Sequence, residues 1–145
     1  MKNRRIKEVS DDHILVKYKG KEVSIDITKE LQIDENTLNS QLRDIPSNYA
    51  FLCLLRDEAI RKRDKLERER DFAFSKAWVY FKDTDSRMSN DLATHKATSS
   101  SKFQSMDKKF LKAQDKANRL ISICKAYESR ERILQTISAN TRKQQ

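Results

Sequence analysis

Residues 103–134 read FQSMDKKFLKAQDKANRLISICKAYESRERIL. In this stretch Phe103, Met106, Phe110, Ala113, Ala117, Leu120, Cys124, Tyr127, Glu131 and Leu134 step by three and four without a slip. Glu131 is the only polar member. Steps of three and four keep one side of an α-helix apolar, and over about four heptads they form the seam of a coiled coil or helical hairpin.

Such a seam requires a facing helix, and residues 47–82 offer one. Ser47 is placed to cap it, and Leu52, Leu55, Ala59, Leu66, Ala73, Ala77 and Tyr80 follow seam spacing, interrupted by Lys62, Glu69 and Lys76. The polar stretch DTDSRMSNDLATHKATSSS, residues 83–101, reads as a connector with one short helix capped at Ser89. Two long helices joined this way are expected to fold back on each other.

Upstream, ILVKYKGKEVSIDIT, residues 14–28, carries alternating Val23, Ile25 and Ile27 behind a Lys19-Gly20-Lys21 turn. A small β-hairpin fits this pattern, and it must lean on another element because a lone hairpin is marginal in water. In IDENTLNSQLRDIP, residues 33–46, Asp34 is placed to cap a short helix bearing Leu38 and Leu42 that stops before Pro46. The expected fold is mostly α: a long coiled-coil-like helical hairpin with a short helix and a small N-terminal β-hairpin. Residues 1–45 hold the tail, β-hairpin and short helix; residues 46–145 hold the helical hairpin, with its connector at about 83–101. A hairpin this thin leaves apolar surface over, so a homo-oligomer is expected.

Composition narrows the chemistry. Of 145 residues, 37% are hydrophobic and 37% charged, with one glycine, Gly20, and one proline, Pro46. A glycine-rich phosphate loop cannot be assembled from one glycine. Cys53 and Cys124 have apolar neighbours, and His13 and His95 lie far apart, so neither a metal nor another cofactor is expected. Asp11-Asp12 and Asp34-Glu35 read as turn or cap carboxylates, so the chain is expected to be no enzyme. No apolar leader or bilayer-length segment is visible, and the expected setting is intracellular, with no membrane partner.

The net charge is +9, unevenly spread. Nine cations balance nine acids over residues 1–45, nine face seven over 46–83, and thirteen face six over 84–145. That bias suits a polyanionic partner. Three groups of side chains are candidates to meet it. In RKRDKLERERD, residues 61–71, helical spacing puts Arg61, Lys65 and Arg68 on one strip with acids beside them. The bland account is a solvated helix steadied by pairs such as Arg63 with Glu67 and Asp64 with Arg68. In the second helix Lys108, Lys112, Lys116 and Arg119 form a row bordered only by Asp115. In FAFSKAWVYFK, residues 72–82, five aromatics surround Lys76 and Lys82, as in proteins that stack single-stranded bases on rings; the same rings would also serve as core. Trp78 is the ring expected to do both.

These motifs, in this order, resemble the UvsY-type recombination mediators of tailed phages. The likeness covers about residues 25–145: the acidic cap and short helix, a long helix opening SNYAFLCLLRDEA, its basic-aromatic end SKAWVYFK, the polar connector, and a second long helix ending SRERILQTISANTRK. The family pattern has Lys-Ala-Arg before a tyrosine pair, whereas this chain has Lys76-Ala77-Trp78 before Val79-Tyr80-Phe81. The resemblance implies a protein that binds single-stranded DNA as a ring of about six or seven copies. It also implies that the protein helps a RecA-like recombinase displace single-stranded DNA-binding protein, in the cytoplasm of an infected bacterium. On this reading Lys76, Trp78 and Lys82 meet the strand with the two basic rows, while Leu52, Leu55, Leu66, Phe103, Met106, Phe110, Leu120, Tyr127 and Leu134 form the hairpin and oligomer seam. The alternative from another class is a structural adaptor that docks a protein partner through its apolar seam.

Overall fold

The computed structural model describes residues 4–9, 13–18, 21–32 and 38–144. Its elements in chain order are β1 (Arg4–Val9), β2 (His13–Tyr18), β3 (Lys21–Asp26), α1 (Ile27–Leu31), α2 (Leu38–Thr84), α3 (Asn90–Thr98) and α4 (Ser101–Lys143). The chain divides into two compact units, Met1–Asp57 with Asn118–Gln145, and Glu58–Ala117. The helices α2 and α4 contribute to both.

In the first unit the three strands form an antiparallel sheet in the order β1-β2-β3. The expected hairpin is β2 with β3, whose register pairs Ile14 with Ile25 and Val16 with Val23. Strand β1 falls in what was expected to be the N-terminal tail; a register shift between Ile6 and Glu8 lets Ile6 pair with Val16 and Val9 with Ile14, which are two apart on β2 although three apart on β1. Ile27, expected in the strand, instead opens α1, because Asp26 accepts a hydrogen bond from the Lys29 amide at 3.1 Å and caps the turn. Asp34 and the Lys19-Gly20 turn lie outside the described residues.

Buried Ile14 and Ile27 anchor the sheet and α1. Ile27 and Leu31 share a concavity with Asn118, Ser122, Ile123 and Ala126 of α4. Buried Arg130 donates from Nε at 3.3 Å and Nη2 at 3.2 Å to the Gln32 carbonyl, where α1 ends. A guanidinium at a helix C-terminus satisfies an orphan carbonyl and complements the dipole. In this way the small sheet leans on α4.

The two long helices are antiparallel in each unit. In the first, Tyr49 hydrogen-bonds Glu128, and the thiols of Cys53 and Cys124 interact. In the second, Arg70 meets Asp107 at 3.5 Å, and the rings of Phe74 and Phe103 pack edge-on at 6.0 Å. The α4 stripe is the core: Met106, Phe110, Ala113, Ala117, Leu120, Cys124, Tyr127 and Leu134 are buried, with Phe103 and Glu131 half-buried. On α2, Leu52, Leu55, Ala59 and Ala73 are buried and Leu66 and Ala77 half-buried, but Tyr80, expected in the seam, is 64% exposed.

One boundary differs from expectation. The helix α2 starts at Leu38 and runs through Pro46, so no separate short helix stops there and Ser47 is internal. A proline inside a helix costs about 3 kcal/mol. Stopping and nucleating a fresh helix costs about 4 kcal/mol, given a nucleation constant near 0.001, so continuation is the cheaper course. In the connector, α3 forms as expected, with Ser89 Oγ accepting from the Leu92 amide at 3.1 Å and Ala93 and Ala97 buried.

Urea unfolding at fixed chain concentration checks this packing. Leu120→Ala is expected to cost about 2–5 kcal/mol, whereas Leu111→Ala, at a half-exposed position of the same helix, should stay within about 0.5 kcal/mol. Arg130→Ala should raise amide exchange in β2 and β3 before that in the middle of α4.

Candidate nucleic-acid interface

The charged stretch 61–71 is a solvated helical face with a pairing of its own. Arg63 pairs with its neighbour Asp64 at 2.7 Å, Lys65 with Glu69 at 3.9 Å, and Arg70 with Asp71 at 3.0 Å. The expected pairs Arg63 with Glu67 and Asp64 with Arg68 are not the ones made, since neighbours and Arg70 take these acids first. Arg61, Lys65 and Arg68 stand exposed on α2. Arg70 is the one that turns inward. Its guanidinium lies 4.2 Å from the centroid of the buried Phe110 ring while bonding Asp107, a cation–π contact that joins α2 to α4.

At the end of α2 the aromatics sort by burial. Phe74 packs on Phe103, Trp78 is half-buried, and Phe81 sits under Lys96, 5.6 Å from ring centroid to ammonium. Lys82 lies 5.8 Å over Trp78 and donates to the Met88 carbonyl at 2.6 Å, which ties it to the connector. Phe72 and Tyr80 remain outside, 69% and 64% exposed, with exposed Lys76 midway between them. Steps of four place Phe72, Lys76 and Tyr80 on one strip. They line a groove of about 700 Å³ together with Ala73, Ala77 and, from α4, Lys102 and Met106. The four-residue spacing was legible in the sequence; which of the five rings stay in water depended on the fold.

A second groove, of about 420 Å³, opens between the same helices. Its floor is Ala59, Leu66 and Ala113, and its rim is Lys62, Lys109, Lys112 and Lys116. The structure thus joins Lys112 and Lys116 of the expected row to Lys62 and Lys109, which the row omitted. Lys108 is exposed but does not line the groove, and Arg119 lines the α1 concavity in the other unit. Lys62 was missed because a row counted along α4 cannot reveal a cation delivered from α2, and Lys109 because the count along α4 followed Lys108 instead of its neighbour.

The cysteines and Tyr49 form a separate cluster in the first unit. Tyr49 is raised well above the usual phenol range, chiefly because its hydroxyl donates to the Glu128 carboxylate. Burial pushes the Cys124 thiol up to about 11. A thiol held protonated at neutral pH is a poor nucleophile. Among the described residues no group of three or more His, Cys, Asp or Glu side chains could hold a metal ion, and no helix is long and apolar enough to cross a membrane. Comparison with family models, curated proteins and solved structures finds no match to this chain.

The cluster makes a pH prediction. Because the folded state holds the Cys124 proton above the ordinary value of 9.0, this contribution to stability is fully present below pH 9. It is lost as pH rises toward about 11. Urea midpoints should therefore fall between those pH values in the wild type and fall less in Cys124→Ser. At pH 8 iodoacetamide should modify half-buried Cys53 before buried Cys124.

Proposed function

We propose that this chain is a non-enzymatic, single-stranded DNA-binding protein that works as a homo-oligomer and acts as a recombination mediator, helping a RecA-like recombinase load onto DNA covered by single-stranded DNA-binding protein. The observation that carries the DNA-binding part is the strip of Phe72, Lys76 and Tyr80. Large rings that water should have driven inward stand 69% and 64% exposed around an ammonium. Base–aromatic stacking is worth about 1–3 kcal/mol per base and tolerates any sequence, while lysine meets the phosphate. The mediator role rests on the resemblance to the UvsY-type family, whose basic-aromatic segment corresponds to Ser75–Lys82.

Self-association supports the same reading energetically. One strip with one or two cations binds weakly. Several linked copies raise the effective concentration of each further contact, and avidity can exceed single-site affinity by about 100-fold or more. Exposed Leu54, Val79, Leu92 and Ile133 supply apolar surface for subunit contacts.

Titrating the full chain with a fluorescent oligothymidine between 50 and 300 mM salt is the direct test. Log affinity should fall linearly with log salt, at about −0.7 per neutralised phosphate. Phe72→Ala with Tyr80→Ala should weaken binding at every salt concentration by about 2–6 kcal/mol, two stacking contacts' worth, and leave the slope nearly unchanged. Lys76→Ala should flatten it. Light scattering with and without the oligonucleotide should report a multimer. A chain that ignores oligothymidine at 50 mM salt is not a DNA-binding mediator.

A further inference from the structure

Lys62, Glu69 and Lys76 occupy seam positions of α2 where an uninterrupted stripe would place apolar side chains. In the Glu58–Ala117 unit these three, with Ala59, Leu66, Ala73 and Tyr80, line the two grooves between α2 and α4. The grooves follow one another along the same helix pair, and their characters differ. One presents two exposed rings with Lys76 and Lys102; the other presents four lysines over a floor of two alanines and a leucine. Lys62, Lys109 and Lys112 form no ion pair among the described residues, whereas the charged stretch beside them is laced with pairs.

We infer that the lysine-rimmed groove is a second subsite for the same strand, taking its phosphodiester backbone, with Lys62 of α2 and Lys109 and Lys112 of α4 as its contact residues. This rests on the DNA-binding reading above and extends it to residues which that reading does not need. Lys109 to Lys116 spans about 10.5 Å of helix axis, and a stacked strand advances about 3.4 Å per nucleotide, so about three phosphates pass the row. Ala59 to Tyr80 is about 31 Å of helix axis, the length of about nine stacked nucleotides. Bases stacked on Phe72 and Tyr80 would therefore deliver the adjoining phosphates to the lysines. Glu69 lines the aromatic groove and is partly offset by Lys65 at 3.9 Å. The lysine groove carries no ring of its own, so it reads backbone charge and not bases.

The test compares oligothymidines of four and twelve nucleotides on the full chain. Its variants are the triple Lys62→Gln, Lys109→Gln, Lys112→Gln and a matched triple at exposed positions elsewhere, Lys125→Gln, Arg132→Gln, Lys143→Gln. Glutamine keeps helix propensity, and circular dichroism with the urea midpoint verifies folding of each. The groove variant should lose on the order of 100-fold in affinity for the twelve-mer at 0.1 M salt, with the salt slope flattened by about 2. It should bind the four-mer nearly as the wild type does, and the matched triple should lose far less. Equal losses in the two triples, or an unchanged twelve-mer slope, overturn the subsite while leaving DNA binding intact. Wild type that binds neither oligonucleotide removes the underlying reading as well. Displacement of the twelve-mer by polyglutamate or inorganic polyphosphate as readily as by unlabelled twelve-mer would mark a general anion groove and overturn the assignment to a strand.

Discussion

Burying an ammonium or carboxylate without a partner costs several kcal/mol or more, and in the Glu58–Ala117 unit that constraint decides which part of α2 stays open. The stripe of α4 is apolar throughout this unit, from Met106 to Ala117. The facing stripe of α2 is not, because Lys62, Glu69 and Lys76 recur in it. Packing these three into the seam would strip water from their charges. They sit at its edge instead, and the cleft beside them remains accessible as two grooves. The small side chains of Ala59, Ala73 and Ala113 deepen it. In the other unit the corresponding stretch of α2 is Leu52 and Leu55, fully buried, and the same helix pair closes with a tyrosine–glutamate hydrogen bond.

The cost of that open cleft is met by contacts that are dense elsewhere in the unit. Arg70 illustrates how. It spreads one guanidinium over Phe110, Asp107, Asp71 and Glu67, so a cation in a charge-rich helix becomes a cross-helix tie. Phe74 on Phe103 and Lys82 on the Met88 carbonyl secure the far end. With the backbone held by those ties, Phe72 and Tyr80 can remain in water, and under the proposed function rings fixed on a helix would stack a base with little further ordering. Rigid presentation lowers the entropy lost on binding.

Much of this was readable in advance, and for a definite reason. A stripe that repeats every three to four residues can be satisfied only by a helix with one buried side, so Phe103 to Leu134 determined α4, its core residues and the need for a partner helix. Ser89 announced α3 through cap chemistry that is local to four residues. Features that no regular repeat encodes did not show. A bulge brought β1 into the sheet; helix cooperativity carried α2 through Pro46; and Arg130 found a carbonyl ninety-eight residues away.

The sequence by itself therefore determined α4 and its stripe, α3, the presence of a long facing helix and the surplus of positive charge, because each depends on spacing along one chain segment. Tertiary structure alone decided which cations share a groove and which rings stay wet. Lys62 joins Lys109 and Lys112 only after α2 and α4 have packed antiparallel, and Trp78 withdraws while Phe72 and Tyr80 do not, according to which side of α2 meets the rest of the unit. Those outcomes follow from which sides of the helices face each other, which no single segment encodes.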